Sequence, residues 1–261
     1  MNILEKIVAV KREEVARLDK RAVGREGILW TAKAFGPRRD FADALRYPRR
    51  GKMGLIAEVK KASPSAGVIR ADFDPVRIAR EYEAAGASCL SVLTDEQFFQ
   101  GSLKFLQQIR DAVRLPILRK DFIISERQIL ESIEAGADAI LLIVAILTDD
   151  ELSRFHSIAR SAGLAVLVEA HDESEFRRAL AAGAEIVGVN NRNLKDFTVD
   201  LATTEKLANL AVGKVLVAES GINTRADVER LERCGAQAIL VGESLMRSAS
   251  VEAKVKELLG A

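Results

Sequence analysis

Three features of the sequence predict an α/β fold of eight parallel strands closed into a (βα)8 TIM barrel, with an N-terminal helical extension: a repeat of glycine-terminated helices, eight short apolar runs, and amphipathic stretches between them. The repeat is carried by EAAGASCLSVL, IEAGADAILLI, LAAGAEIVGVN and ERCGAQAILVG, in which a helical pattern ends at a glycine and an apolar strand follows. Their glycines, Gly86, Gly136, Gly183 and Gly235, are spaced by 50, 47 and 52 residues. Glycine just past a helix permits the left-handed conformation that closes the last turn. Such a spacing is too long for one strand–helix unit but suits two. A weaker unit duly lies midway each time, in DAVRLPILRK, ARSAGLAVLVEA and LAVGKVLVAES.

In chain order, residues 1–48 stand outside the repeat. Ile3, Leu4, Ile7, Val8, Val15 and Leu18 fall near helical spacing, which predicts an amphipathic helix lying on the barrel. The expected place is a lid over the bottom or side, not a direct substrate role, with part of the arm free to reach the mouth. Pro37-Arg38-Arg39 and Pro48-Arg49-Arg50-Gly51 read as turns. Strands are expected at 54–59, 89–93, 116–119, 139–144, 165–169, 186–190, 215–219 and 238–242. Near-continuous Val/Ile/Leu runs are what strands covered on both faces require. Helical patterns such as 74–85 and 149–162 separate them. The loop at 61–69 is expected to move, with Gly67 as its hinge. The competing fold is an open doubly wound sheet, which usually carries GxGxxG after its first strand; the sequence has none. The whole chain, 1–261, is expected to form one domain, with 1–48 as the extension.

Composition narrows the function classes. Forty-eight per cent of the 261 residues are apolar, enough for a large core without disulfides or a structural metal. The net charge of +1 gives no reason to expect nucleic acid or an anionic membrane as partner. Cys89 and Cys234 are the only cysteines and form no CxxC, so a reducing compartment fits. The longest apolar run, 139–147, is nine residues, far short of the roughly 20 that span a bilayer. The N-terminal stretch carries Glu5, Lys6, Lys11 and Arg12 and so lacks the apolar centre of a signal peptide. A cytoplasmic location is expected.

Barrels of this kind build their active sites at the C-terminal ends of the strands. Strand 1 ends in Glu58-Val59-Lys60, and alternation puts Glu58 and Lys60 on one face, toward the interior if Val59 packs outward. Strand 3 ends in Arg119-Lys120-Asp121, strand 5 in Glu169, strand 6 in Asn190, and strand 7 in Glu219-Ser220-Gly221. Three carboxylates and two lysines thus converge on one mouth, which is costly to desolvate unless they pair with each other or with a ligand. A structural ion-pair network explains one such residue as well as function does; five on one barrel favour function. A lysine whose pKa is lowered in a cationic site and a glutamate whose pKa is raised would suit proton transfer to and from a substrate. His156 and His171 are too scattered for a metal set, and no serine has a triad partner, so no metal or other cofactor is expected. After strands 7 and 8, Ser220-Gly221 and Gly242-Glu243-Ser244 supply glycine turns and a short helix start, where such barrels hold phosphate.

The segments IAEVKKASPSAGVI, LTDEQFFQGS, PILRKDFI, LVEAHDE, GVNNRNL, VAESGI and ILVGESLMR follow one another along the chain, after an N-terminal ILEKIVAVKREEV. Together they resemble the indole-3-glycerol-phosphate synthases over essentially the whole length. That resemblance implies conversion of 1-(2-carboxyphenylamino)-1-deoxyribulose 5-phosphate to indole-3-glycerol phosphate in tryptophan biosynthesis, with loss of CO₂ and water. It implies that Lys120 is the general acid of ring closure and Glu169 the acid/base group of dehydration. Glu58 and Asn190 would orient the substrate, and Lys60 would meet one of its anionic ends. Arg192, Glu219 and Ser220 match further binding positions. Ser63, Ser220, Gly221, Gly242 and the amide of Glu243 would hold phosphate. The partner is then a small phosphorylated molecule, and any coupling to other tryptophan-pathway enzymes would run through association. Ala66, Ser125 and Ala170 depart from the family's usual residues without removing a catalytic candidate.

Two other readings compete. A sugar-phosphate isomerase such as phosphoribosylanthranilate isomerase would carry a cysteine after strand 1 and an aspartate after strand 6, where this chain has Glu58 and Asn190. A barrel retained only for binding or scaffolding would have lost its charges at the mouth, and here they are present.

Overall fold

A computed structural model describes residues 3–18, 24–193 and 197–260 of the chain. Residues 19–23 of the expected extension and Leu194 of the GVNNRNL segment lie outside them. Eight parallel strands form a closed barrel: β1 (Gly54–Val59), β2 (Cys89–Leu93), β3 (Ile117–Lys120), β4 (Ala139–Ile143), β5 (Ala165–Ala170), β6 (Ile186–Asn190), β7 (Val215–Glu219) and β8 (Ala238–Val241). Each pairs with the next in the chain, and β8 returns to β1 with Ile56 beside Leu240. The expected strands are all present: four have the expected bounds and the other four differ by one residue at one or both ends. The glycines of the repeat take the left-handed conformation that the sequence predicts, with φ of 101°, 84°, 88° and 97° at Gly86, Gly136, Gly183 and Gly235.

Alternation sorts the side chains into two cores. Ile56, Leu118, Leu141, Leu167, Val217 and Leu240 fill the barrel interior. Leu55, Ala57, Val59, Leu90 and Val92 face outward beneath the helices. Both faces of every strand are covered, which is why the sequence shows apolar runs instead of alternation.

The chain begins with three helices, α1 (Ile3–Arg17), α2 (Arg25–Ala34) and α3 (Phe41–Arg46). The outer layer continues with α4 (Pro75–Ala85), α5 (Leu103–Ala112), α6 (Glu126–Glu134), α7 (Asp149–Ser161), α8 (Glu173–Ala181), α9 (Ala202–Leu207) and α10 (Arg225–Arg233). α11 (Glu243–Met246) and α12 (Val251–Leu259) end it. Side-chain caps fix several helix starts. Thr148 and Thr224 each form a reciprocal capping box, and Ser125 accepts from the Arg127 amide. After β1 the chain forms a small antiparallel hairpin, Ala62–Ser63 against Gly67–Val68, which turns over residues 64–66 with Gly67 at φ 64° just beyond.

The extension covers the bottom and the side of the barrel, as expected, and part of it also reaches the mouth. Its three helices go to three places. α3 does close the bottom, where Phe41, Ala42 and Leu45 join the interior core. α2 lies on the side against α6 and α7, with Arg25 donating to Ser161 at 2.9 Å. α1 lies across the mouth. Its Lys11, almost fully buried, pairs at 3.0 Å with both Asp95 and Asp121, which follow β2 and β3, and at 2.7 Å with Glu14. An amphipathic pattern shows that a helix has a face to bury; it does not show against which end of the barrel.

The Pro37-Arg38-Arg39 turn also does more than reverse the chain. The Arg39 amide donates to Asp138 at 2.8 Å, and its guanidinium donates to the carbonyls of Leu115 and Arg110. Asp138 further accepts from Arg110 at 2.6 Å and from the Ile117 amide at 2.9 Å. This knot ties the extension to the N-terminal ends of β3 and β4.

Candidate active site

At the upper end of the interior, apolar layers give way to polar ones, and Glu58, Lys120, Glu169, Asn190 and Glu219 continue the inward-facing positions of their strands. All five, with Lys60, Ser63, Arg192, Ser220, Gly221, Gly242 and Glu243, line one cavity of about 570 Å³. The structure therefore brings every sequence-predicted site residue together.

Lys120 stands among the carboxylates. Its Nζ lies 3.3 Å from Glu219 and 3.6 Å from Glu169, and its side chain is 16% exposed. Lys60 pairs with Glu58 at 2.9 Å, as alternation around an outward Val59 requires. Asn190 ties the floor together: it donates to Glu169 at 3.3 Å and accepts from the Ser220 hydroxyl at 2.9 Å and the Arg192 amide at 3.0 Å. From the helix layer, the Tyr82 hydroxyl donates to the Glu58 carbonyl at 3.2 Å and braces the end of β1.

Two glycines make room for the acids. A Cβ at position 188 would meet Glu219 Oε1, and one at 242 would meet Glu58 Oε1. Gly242 thus serves the carboxylate inside the barrel as well as any ligand at the rim. Ser220 and Gly221 turn in succession through the left-handed region, at φ 66° and 79°. For a serine that backbone is strained, by about 1–3 kcal/mol. Asn191 steadies the turn by donating to the Ser220 carbonyl at 3.2 Å.

The electrostatics reverse one expectation. Burial alone would lower the Lys120 ammonium, but Glu219, then Glu169 and Glu58, outweigh it and hold its pKa well above the usual lysine range. Burial would likewise raise Glu58 and Glu169, yet each ends below the usual carboxylate range. Lys60 and then Lys120 lower Glu58; Lys120 and then His171 lower Glu169. Only Glu219 follows the anticipated direction. Burial, with Glu169 and Glu58 nearby, overcomes the opposing pull of Lys120 and pushes it up to about 8. The lysine is surrounded by acids, not by other cations, so the expected acidic lysine does not arise, and of the three glutamates only Glu219 is raised.

Several contributors escaped sequence reasoning. Ile3, Leu4 and Ile7 of α1 form part of the cavity wall, with Phe99 and Phe122. Their helical or loop spacing carries no sign of a ligand. His171 approaches Glu169 at 3.4 Å and Glu175 at 3.0 Å. Here a signal existed, since a residue two positions after Glu169 continues the inward register of β5. The cysteines stay away from the mouth. Cys89 lies inside the barrel near its bottom, its thiol directed at the Phe41 carbonyl, and Cys234 ends α10. Among the described residues, no group of three or more His, Cys, Asp or Glu side chains could hold a metal ion.

A sequence model of the family described as indole-3-glycerol phosphate synthase matches residues 4–258. The chain belongs to the indole-3-glycerol phosphate synthase family. Curated relatives bearing that name include proteins of Neisseria meningitidis serogroup B (49% identical, covering 98% of this chain and 99% of the relative) and Polaromonas (50%, covering 99% and 98%). Another, from Geobacillus thermodenitrificans, is 50% identical over 99% of this chain and 97% of its own length. Membership makes the chain an enzyme of tryptophan biosynthesis, a lyase whose reaction includes a decarboxylation. Among solved structures, a 3-hexulose-6-phosphate synthase superposes with a TM-score of 0.63 at 15% identity, covering 80% of this chain and 99% of its own. A thiamine phosphate pyrophosphorylase from Pyrococcus furiosus gives 0.61 at 18%, covering 80% and 95%. At such identities these two support the barrel fold alone. No helix among the described residues is long and apolar enough to cross a membrane.

Proposed function

We propose that this cavity converts 1-(2-carboxyphenylamino)-1-deoxyribulose 5-phosphate to indole-3-glycerol phosphate, CO₂ and water, with Lys120 as the acid of ring closure. The observation that carries the reading is a lysine ringed by three buried carboxylates, between an apolar wall and a serine–glycine turn.

Each part of the substrate has a counterpart. Phe99, Phe122 and the α1 residues offer an apolar slot for the arene. Ser63, Ser220, Gly221, Gly242 and the Glu243 amide surround the position for the phosphate, with Arg192 on the neighbouring rim. Lys60, at the edge of the cavity, meets the arene carboxylate, and Glu58 holds Lys60 in place.

Ring closure joins the aromatic carbon bearing the carboxylate to the ribulose carbonyl carbon. As that bond forms, the carbonyl oxygen gains negative charge and takes a proton from Lys120. Glu219, Glu169 and Glu58 raise the pKa of Lys120 and so favour its ammonium, which brings both charge and proton to the developing oxyanion. Loss of CO₂ restores electrons to the ring. Glu169 then takes the proton lost from the nitrogen-bearing carbon as the ring double bond forms and passes it to the new hydroxyl, which leaves as water; Asn190, bonded to Glu169, orients that hydroxyl. No redox change occurs, so side chains suffice for the chemistry. A positioned acid is worth roughly 10²–10⁴ in rate.

The test is a steady-state assay of the fluorescent indole product, on wild type and Lys120→Ala. Robust turnover that collapses in the variant supports both the reaction and its acid. Wild-type turnover in Lys120→Ala removes Lys120 from the role, and a folded wild type that binds the substrate without turning it over removes the reaction.

A further inference from the structure

We propose that His171 is a positioning residue for Glu169, setting the orientation and charge state of that carboxylate from the side away from the substrate. The proposal rests on the reading of Glu169 as the acid/base group of dehydration.

His171 lies between two carboxylates. On one side its Nε2 faces Glu169 Oε1 at 3.4 Å. On the other, Glu175 Oε2 accepts from the His171 amide at 2.8 Å and lies 3.0 Å from Nδ1. Glu175 is itself fixed, because it sits in the first turn of α8 and its amide donates to the cap residue Asp172 at 2.9 Å. A neutral ring protonated on Nδ1 would turn the Nε2 lone pair toward a carboxylate oxygen. A ring protonated on both nitrogens gives Glu175 a hydrogen from Nδ1 and sets a positive charge beside Glu169, whose oxygen lies at ion-pair distance from Nε2 without a hydrogen bond. The imidazolium is the form this geometry favours.

The mouth has need of that charge. Lys120 is shared by Glu219, Glu169 and Glu58, and stands closer to Glu219 than to Glu169. Asn190 supports the same Oε1 of Glu169 but brings no charge. The groups acting on Glu169 are thus Lys120 from β3, His171 beyond its own strand, Asn190 from β6 and Glu219 from β7. Those acting on His171 are Glu175, Glu169 and Glu219. Burial lowers the pKa of His171, yet the Glu175 bond and the Glu169 charge bring it above the usual histidine value. His156, by contrast, is lowered by burial.

His171 does not line the substrate cavity. It borders a second one, of about 590 Å³, together with Glu175, Asn190 and Arg192. Of the groups that line the substrate cavity, Glu169 is the one with which His171 forms an ion pair, and an effect on chemistry passing through Glu169 separates the pattern expected here from that of a binding residue.

The experiment uses the full chain with Glu169→Gln, His171→Asn and Glu175→Gln, reading kcat and KM against pH. The imidazolium favours the Glu169 carboxylate, so its loss should let Glu169 take up a proton more readily. In His171→Asn the acidic limb should move up by about one pH unit and kcat should fall roughly tenfold, with KM little changed. Glu175→Gln should move the limb in the same direction by less. Because the chain has two histidines, an NMR titration resolves them directly: His171 should titrate above His156 and fall in Glu169→Gln. Should His171→Asn fail to fold, Glu175→Gln and the NMR titration decide. An unmoved limb, or a His171 titration indifferent to Glu169→Gln, overturns the proposal. Wild-type turnover in Glu169→Gln overturns the acid–base reading of Glu169 itself, whereas collapse there with an unmoved limb in His171→Asn overturns only the role of His171.

Discussion

The two ends of the barrel both bury charge, and they treat it in opposite ways. At the bottom, Asp138 is fully buried and receives the Arg39 amide, the Ile117 amide and the Arg110 guanidinium. At the mouth, Glu219 is as deeply buried, has Lys120 at 3.3 Å as its countercharge, and lies in the field of two further carboxylates. The bottom resolves its charge with fixed donors and becomes structure. The mouth holds unresolved charge, with capacity left for a ligand. Buried charge by itself does not mark a site; the number of donors committed to it does.

The largest expected effect separates the two ends by activity. Lys120→Ala should lower kcat by roughly 10²-fold or more in the product-fluorescence assay. If it lowered the melting temperature and left turnover intact, the mouth would be as structural as the bottom. Asp138→Ala should do the reverse. It strands Arg110 and the Ile117 amide, at a cost of about 3–5 kcal/mol, which calorimetry should read as a fall of roughly 10 °C in Tm. Its kcat per folded molecule should match wild type, and a specific loss of kcat would blur the contrast.

Lys11→Met sharpens the comparison from the arm. It leaves Asp95 and Asp121 without the cation that pins α1 over the mouth. Asp121, which burial would raise, is held down at about 2 by Arg119 and Lys11. KM should rise about tenfold, equivalent to ~1.4 kcal/mol of lost binding, with kcat changed much less. A KM equal to wild type would show that α1 contributes only cover.

The smallest effect concerns pH. The pKa of Glu219 is near 8 in the fold against an ordinary 4.5, so the folded state holds that proton more tightly. Its contribution to stability is full below the ordinary value and is lost as pH rises through the folded one. Between these values the Tm of wild type should therefore fall relative to that of Glu219→Gln. Parallel curves would mean that Lys120 fully neutralises Glu219.

Much of the barrel was legible because its causes are local. Apolar runs such as AILLI and glycines past helix ends act within a few residues, and they located all eight strands. The catalytic candidates were legible for a related reason, since a glutamate ending an apolar run has no place in a core. What the sequence did not display were matters of distance. Lys11 reads as one more charge on an amphipathic helix, and only the closed barrel brings Asp95 and Asp121 to it. Asp138 reads as a turn residue until Arg39 and Arg110 arrive. The pKa directions depended on counting neighbours in space: five charges were visible, but not that Lys120 would have three acids around it.

The divided N-terminal arm has a consequence for the order of events during synthesis. It precedes every barrel strand in the chain, yet its seats are made late. Lys11 needs Asp95 and Asp121, and Leu45 packs beneath Gly54 in a layer completed by Val217, Ala238 and Leu240. Until the eighth strand emerges, Phe41 and Leu45 have no finished surface to cover, and the apolar face of the first helix has no rim to cross. An arm that precedes the barrel is thus the last to become secure, and it locks both ends of the barrel once there is a barrel to lock.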